Sequence, residues 1–143
     1  MKVFIENEAG SDQKNIFDEE TLTYKKTVTV SARYPFPYGF ILETKSGDGD
    51  NLDCFVLTDR PLRSGEIIEV DAIGMFEELE DGDEDHKILA VPKGDSWKID
   101  TQLEEIFKEF SANVFAHLQG KKKIVGRFLG PESAQELIER SRI

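Results

Sequence analysis

Short apolar stretches separated by turn residues fill the first two thirds of the chain. The stretch LTYKKTVTV (residues 22–30) alternates β-branched and polar residues, which predicts a strand. The apolar runs LDCFVLT (52–58) and HKILAVP (86–92) predict two further buried strands. Residues 61–79 contain a Ser-Gly turn and then a pattern that fits one long strand or two. Short strands with turns between them favour an antiparallel β-barrel over a parallel sheet.

The segment YPFPYGF (residues 34–40) places aromatic residues between prolines. Because proline lacks a backbone N–H, we expect this segment to lie outside central strands and helices. An aromatic segment of this kind is most often a rigid packing corner, which is the interpretation favoured for Tyr34. For Tyr38 a second interpretation stays open, since a phenol beside a metal–phosphate site can donate a hydrogen bond to a phosphate oxygen.

The last third of the chain changes to a helical period. Apolar residues recur at helical spacing from Leu103 to Leu118 within IDTQLEEIFKEFSANVFAHLQGKK. Asp100 or Thr101 is predicted to cap the start of this long helix, and Gly120 is predicted to end it.

Residues 122–130 return to an extended pattern, and residues 131–142 predict a short terminal helix with Pro131 in its first turn. No linker, internal repeat or low-complexity segment stands out, so we expect residues 1–143 to form a single domain. The predicted fold class is mainly β with α (α+β): a β-barrel, a long packed helix and a short C-terminal helix.

The chain is strongly acidic. Its 29 acidic and 18 basic residues give a formal net charge of −11, which argues against binding to nucleic acid or to an anionic membrane. The amino terminus lacks the apolar core of a signal peptide, and no apolar run reaches membrane-spanning length. The single cysteine, Cys54, cannot form an internal disulfide, and these features together predict a cytoplasmic protein.

Two acidic clusters carry the candidate chemistry. In GDGDNLDCF, Asp48, Asp50 and Asp53 precede a buried strand. In EDGDEDHKILAV (80–91), five acidic residues precede another strand. Crowded carboxylates raise one another's pKa, and a bound Mg²⁺ or Mn²⁺ would relieve that repulsion. From the residues alone, a solvated acidic turn is an equal alternative for the first cluster and the favoured one for the second.

These motifs together resemble the family I soluble inorganic pyrophosphatases. Residues 34–57, YPFPYGFILETKSGDGDNLDCFVL, are similar to the family's Y-P-x-N-Y-G-[YF] segment followed, after the same gap, by D-G-D-P-x-D. Residues 82–92, GDEDHKILAVP, are similar to E-D-x-K-[LI]-x-A-V-P at the matching distance. The resemblance extends from about residue 3 to Leu129. It implies a closed, twisted five-stranded barrel of the OB type, and an enzyme that hydrolyses pyrophosphate to two phosphates with Mg²⁺.

The resemblance also implies a role for each matching residue. Asp50 matches the position that takes a proton from the attacking water, and Lys87 and Tyr38 match residues that contact phosphate and complete the catalytic set. The positions that match or fall on metal ligands are Asp48, Asp53, Asp85, Glu80 and, less closely, Glu6. The positions that match or fall on substrate-binding residues are Tyr38, Lys87, Lys26, Gln119 and, less closely, Lys14.

Some of these positions depart from the family pattern. Pro37 stands where the motif has Asn, and Asn51 stands where D-G-D-P-x-D has proline. Glu80 replaces an aspartate. Lys26 replaces an arginine, which keeps the charge but loses the bidentate fork.

The largest departure lies at the end of the long helix. The family's Tyr-Lys pair falls on Leu118 and Gln119, and Gln119 can hydrogen-bond to phosphate but carries no charge. Lys121, Lys122 or Lys123 could supply that charge from the following loop, although a solvated basic run is the alternative.

Three hypotheses follow from this combination. The favoured one is a Mg²⁺-dependent pyrophosphatase with a diverged phosphate site, for which a slower rate is one expectation. The others are a phosphohydrolase of the same fold that acts on another small phosphate compound, and a non-catalytic metal-binding relative. The resemblance further implies a homo-oligomer, commonly a hexamer in bacteria.

Overall fold

The computed structural model describes residues 1–46 and 49–143, and within them the chain forms nine strands and two helices. The strands are β1 (Lys2–Asn7), β2 (Gln13–Phe17), β3 (Tyr24–Thr29), β4 (Tyr38–Ile41), β5 (Asp53–Val56), β6 (Ile67–Glu80), β7 (Asp83–Glu84), β8 (Lys87–Pro92) and β9 (Lys123–Leu129). The helices are α1 (Thr101–Asn113) and α2 (Pro131–Ser141).

Five of the strands close into a ring. They pair in the order β1–β4–β5–β8–β6, and β6 pairs back onto β1. Four of these pairings are antiparallel, whereas β5 and β8 run parallel. The ring is the closed, OB-like twisted barrel that was predicted, and the parallel pair is its one departure from the antiparallel pattern.

The long strand β6 belongs to the ring and also pairs with β9 outside it. The sequence pattern of residues 61–79 fitted either one long strand or two. The structure forms a single strand of 14 residues with two irregularities in its pairing. Gly74 lies at the first of these, where a Cβ atom would come within 2.7 Å of the Ile99 side chain and 2.8 Å of the Leu129 carbonyl oxygen. Because of this length, one strand pairs with β1, β8, β7 and β9.

The strand β4 corrects one expectation. The prolines of YPFPYGF were predicted to exclude a central strand, yet β4 begins at Tyr38, directly after Pro37, and lies between β1 and β5. Proline prevents a hydrogen bond only from its own nitrogen, and the Pro37 carbonyl accepts one from the Val56 N–H at 2.9 Å. The sequence analysis also missed β1 and β2.

The helix α1 is shorter than predicted. Its start is confirmed, because the Asp100 side chain accepts a hydrogen bond from the Leu103 N–H at 2.9 Å. Its end lies at Asn113 rather than at Gly120. The Val114 carbonyl, which the next helical turn would need, accepts instead from the Ser31 N–H, and residues 114–120 form turns. The helix α2 begins at Pro131 as predicted, and neither helix combines the length and apolar character needed to cross a membrane.

Candidate active site

Lys87 lies at the centre of the candidate site. It is the first residue of β8 and pairs directly with Asp53, the first residue of the parallel strand β5. Its ammonium nitrogen lies 2.7 Å from Asp53 Oδ2 and 2.8 Å from Asp85 Oδ2. Burial alone would lower the pKa of Lys87, but the charges of Asp53, Glu78 and Asp85 outweigh burial and raise its pKa well above the ordinary value. Lys87 therefore stays protonated.

Three carboxylates that are distant in sequence approach one another here. Burial, together with the negative charges of Asp53 and Glu19, raises the pKa of Glu6 on β1 to about 8. Burial also raises the pKa of Asp85, with a further contribution from Asp53, although Lys87 opposes the shift. Glu6, Asp53 and Asp85 thus form one carboxylate-rich region, in which Glu6 keeps its proton at neutral pH.

These carboxylates fit a divalent cation by their chemistry. Hard oxygen donors are the ligands that Mg²⁺ and Mn²⁺ prefer, and a cation would relieve the repulsion that raises the pKa values. In residues 1–46 and 49–143, no three His, Cys, Asp or Glu side chains are arranged so that they could hold a metal ion, and the Lys87 ammonium group contacts both Asp53 and Asp85. Asp48, another predicted ligand, lies outside the described residues.

A cavity beside Lys87 has a positive lining. The residues that supply its charges and phenols are Lys14, Lys87, Lys123, Glu78, Tyr34 and Tyr38. Burial lowers the pKa of Lys14, and the nearby positive charges of Lys123 and Lys87 lower it further. Three ammonium groups that repel one another around a cavity are suited to an anion.

The barrel positions Lys14 through its neighbour Asn15. The Asn15 N–H donates to Asn7 Oδ1 at 2.6 Å, and its side-chain amide donates to the Glu6 carbonyl at 3.0 Å. These bonds hold the β2–β3 hairpin against β1, and Lys14 then packs over the Phe115 ring at 5.0 Å from the ring centre.

Tyr38 and Tyr34 stack on each other in the wall of this cavity, with ring centres 5.4 Å apart. Burial raises the pKa of both phenols. A phenol that keeps its proton is a hydrogen-bond donor, so each is chemically able to donate to a phosphate oxygen. Tyr34, for which packing was the favoured interpretation, therefore lines the cavity alongside Tyr38.

Other predicted residues lie away from this cavity. Asp50 is exposed in a bend and lines a separate surface depression that also contains Lys25 and Asn51. Lys26 is exposed on β3, on the hairpin face that it shares with Lys14. Gln119 is exposed among the turns after α1.

Glu80, the remaining predicted metal ligand, lies at the end of β6 and forms an ion pair with Lys121. The Lys121 ammonium nitrogen is 2.5 Å from Glu80 Oε1, and Glu80 is partly buried. Glu80 is therefore near the site, and its carboxylate is paired with Lys121.

Asn51 connects the first acidic cluster to the β2–β3 hairpin. Its backbone N–H donates to Glu19 Oε1 at 2.6 Å, and its side-chain amide donates to the Ile41 carbonyl at 3.2 Å. The proline of the family motif has no N–H, so the first of these bonds depends on the substitution.

Two charged residues of the site were not assigned from the sequence. Glu78 is 1% exposed, and it accepts a hydrogen bond from the Ser111 hydroxyl at 2.7 Å. Lys123 lies 3.6 Å from Glu78 and was only one of three possible lysines. The available signal was the alternation of β6, because Glu78 and Glu80 share a face and Glu80 pairs with Lys123 on β9.

Known proteins resemble this chain over nearly its whole length. The sequence profile of a family described as inorganic pyrophosphatase matches residues 3–142. The inorganic pyrophosphatase of Geobacillus stearothermophilus is 32% identical over 148 residues, covering 97% of this chain and 90% of that protein. A solved inorganic pyrophosphatase from Coxiella burnetii is 32% identical, with a TM-score of 0.85 over 99% of this chain and 92% of that one. One from Neisseria gonorrhoeae is 28% identical, with a TM-score of 0.90 over 99% and 88%.

Proposed function

The chain belongs to the inorganic pyrophosphatase family, and we propose that it hydrolyses pyrophosphate to two phosphates in a Mg²⁺-dependent reaction. The observation that carries this proposal is the position of Lys87. Its ammonium group joins Asp53 and Asp85 on one side, and it lines the lysine-rich cavity on the other. Groups suited to cations and groups suited to phosphate therefore meet at one residue.

The residues that would hold Mg²⁺, or Mn²⁺ in its place, are Asp48, Asp53, Asp85, Glu6 and Glu80. When bound, the metal supplies positive charge against the phosphate oxygens and lowers the pKa of water. An acidic protein with a net charge of −11 needs this contribution to bind an anion as highly charged as pyrophosphate.

The side chains of the protein would then orient the substrate. Lys87 and Lys14 donate to phosphate oxygens and offset the charge that develops on the leaving phosphate. Tyr38 donates its phenolic proton to a further oxygen. Asp50, which is exposed outside the cavity, would accept the proton of the attacking water, and the exposed residues Lys26 and Gln119 would contact the substrate from outside the cavity.

Phosphate release from pyrophosphate in the presence of Mg²⁺ tests the proposal. Asp50→Asn removes the proton acceptor and should lower kcat by about 100-fold to 10,000-fold, the usual contribution of a general base. Asp59→Asn makes the same chemical change at an exposed residue outside the site and should keep the wild-type rate.

Two results would contradict the proposal. Release from other phosphate compounds but not from pyrophosphate would indicate a different phosphohydrolase. Metal binding without turnover of any phosphate compound would indicate a non-catalytic relative.

We also propose that the protein forms a homo-oligomer, with a hexamer as one possible form, and works in the cytoplasm. Leu79 and Ile124 pair across β6 and β9 and are 38% and 50% exposed, which supports an apolar contact between copies. Cys54, the only cysteine, is buried and has no disulfide partner, which suits a reducing compartment. Sedimentation of the purified protein tests the first point: a monomer at all concentrations would contradict it. Cell fractionation tests the second: recovery outside the cytoplasmic fraction would contradict it.

A further inference from the structure

We infer that Lys123 is a phosphate-binding residue, and that buried Glu78 positions it. The inference rests on the proposed function, because it concerns how the same site binds its substrate. It places the positive charge that Gln119 lacks on β9 rather than among the turns after α1.

The pairing of β6 with β9 directs Lys123 inward. Glu80 pairs with Lys123 and Glu78 pairs with Val125, whereas Leu79 and Ile124 pair on the opposite, exposed face. As a result, the Lys123 side chain is only 10% exposed although it begins a strand at the edge of the barrel.

Lys123 completes a cluster of three lysines. It lies over the Phe115 ring at 4.9 Å, and Lys14 lies over the same ring at 5.0 Å. Lys87 lines the same cavity, and Glu78 is the only acidic residue among its lining residues in the described chain. Three positive charges against one negative charge leave the lining with a formal charge of +2, which is the sign that a phosphate group requires.

Glu78 contacts two of these lysines, Lys87 and Lys123, through its carboxylate. Its Oε1 accepts the Ser111 hydroxyl proton at 2.7 Å. Its Oε2 lies 3.5 Å from the Lys87 nitrogen and 3.6 Å from the Lys123 nitrogen, and it accepts no hydrogen bond within residues 1–46 and 49–143. An ammonium group has three donors, so this long ion pair orients Lys123 while its donors stay available to an anion.

A purely structural ion pair is the alternative role for Lys123. A buried carboxylate is costly without a cation, so Lys123 could serve only to neutralise Glu78. The two roles differ in what happens when both charges are removed together. If Lys123 only neutralises Glu78, a protein that lacks both charges should keep its affinity for the anion. If Lys123 binds phosphate, that protein should still bind the anion weakly.

Binding of imidodiphosphate, a pyrophosphate analogue with a non-hydrolysable P–N–P link, tests the inference by calorimetry on the Mg²⁺-loaded protein. Lys123→Gln should weaken binding roughly 10- to 100-fold, which is the usual value of one hydrogen bond to a charged group. Lys122→Gln removes the same charge from the adjacent exposed residue and should change binding less than about twofold.

The double variant Glu78→Gln/Lys123→Gln separates the two roles. Urea unfolding should show that it recovers stability relative to Lys123→Gln alone, while its affinity for imidodiphosphate stays low. Wild-type affinity in Lys123→Gln or in the double variant would overturn the inference. Tight binding by the wild type that Lys123→Gln weakens, without any pyrophosphate hydrolysis, would instead refute the proposed function and leave the phosphate-binding role of Lys123 supported.

Discussion

Lys87 contacts carboxylates from three separate parts of the chain. Asp53 begins β5, Glu78 lies in β6, and Asp85 precedes β8. The Lys87 side chain is 4% exposed, so removing its charge would leave the partly buried Asp53 and Asp85 without their lysine and should be strongly destabilising. One residue therefore contributes to the stability of this end of the barrel and also lies in the proposed anion site.

Glu6 should make stability depend on pH. Its pKa rises from 4.5 to about 8 on folding, chiefly because the side chain is buried. The folded protein thus holds a proton that the unfolded chain releases, so stability should fall as pH rises from about 4.5 to 8 in metal-free buffer. The loss should be on the order of a few kcal/mol. Urea titrations between pH 4.5 and pH 8 measure it.

The control for this effect is a second glutamate near the same strand. Glu6→Gln cannot ionise and should reduce the pH slope, leaving the part that comes from the raised pKa of Asp85. Glu8→Gln changes an exposed residue and should keep the wild-type slope. An unchanged slope in Glu6→Gln would show that Glu6 is not the group responsible.

At the scale of elements, the parallel pair of β5 and β8 brings Asp53 of the first acidic cluster and Asp85 of the second to the same lysine. Each cluster ends where one of these strands begins, and the pairing sets Asp53 beside Lys87. The neighbouring strand β4 must approach β1 closely, since a Cβ atom on Gly39 would lie 1.8 Å from the Phe4 carbonyl oxygen. The ring, and hence the site, depends on glycine at that position.

The contact between the acidic segment and the β2–β3 hairpin provides a second prediction. Asn51→Pro restores the family motif but removes the N–H that donates to Glu19, whereas Asn51→Ala keeps it. Both variants lose the side-chain bond to the Ile41 carbonyl, so their difference isolates the backbone bond.

A hydrogen bond to a charged group contributes about 1.5–3 kcal/mol, and proline recovers about 0.4–1 kcal/mol by restricting the unfolded chain. The free energy of unfolding measured in urea should therefore be about 1–2 kcal/mol lower for Asn51→Pro than for Asn51→Ala. Equal or greater stability for the proline variant would show that the Glu19 contact contributes nothing.

At the scale of the whole molecule, the net charge of −11 and the lysine-rich cavity oppose each other. Repulsion spread over the surface weakens any anion site, and divalent cations bound near Asp53 and Asp85 would reduce it there. Specific metal binding should therefore stabilise the whole fold.

Mg²⁺ at about 100 times its Kd should raise the free energy of unfolding by about 2.7 kcal/mol, seen as a higher Tm. Since any salt screens an acidic surface, NaCl at equal ionic strength is the reference. Asp53→Asn should lose most of this Mg²⁺-specific increase, and Asp59→Asn should keep it. An equal increase with NaCl would mean that the effect is screening alone.

The site was predictable where its residues lie in compact motifs. Asp53, Asp85, Lys87 and Tyr38 follow short patterns next to strands, and the structure brings them to one end of the barrel. Glu78 was not assigned, although the alternation of β6 puts it on the same face as Glu80, because the sequence alone does not show which face of this strand is buried.

The sequence by itself determined the strands β3, β5, β6 and β8 and the starts of both helices. It also determined the barrel class and the concentration of carboxylates. Each of these depends on periodicity or on neighbours in the chain. Only the tertiary structure decided where α1 ends and which lysine enters the cavity. The first depends on Ser31 reaching the Val114 carbonyl, and the second on the register between β6 and β9. Both are contacts between distant segments, whose geometry exists only once the ring has closed.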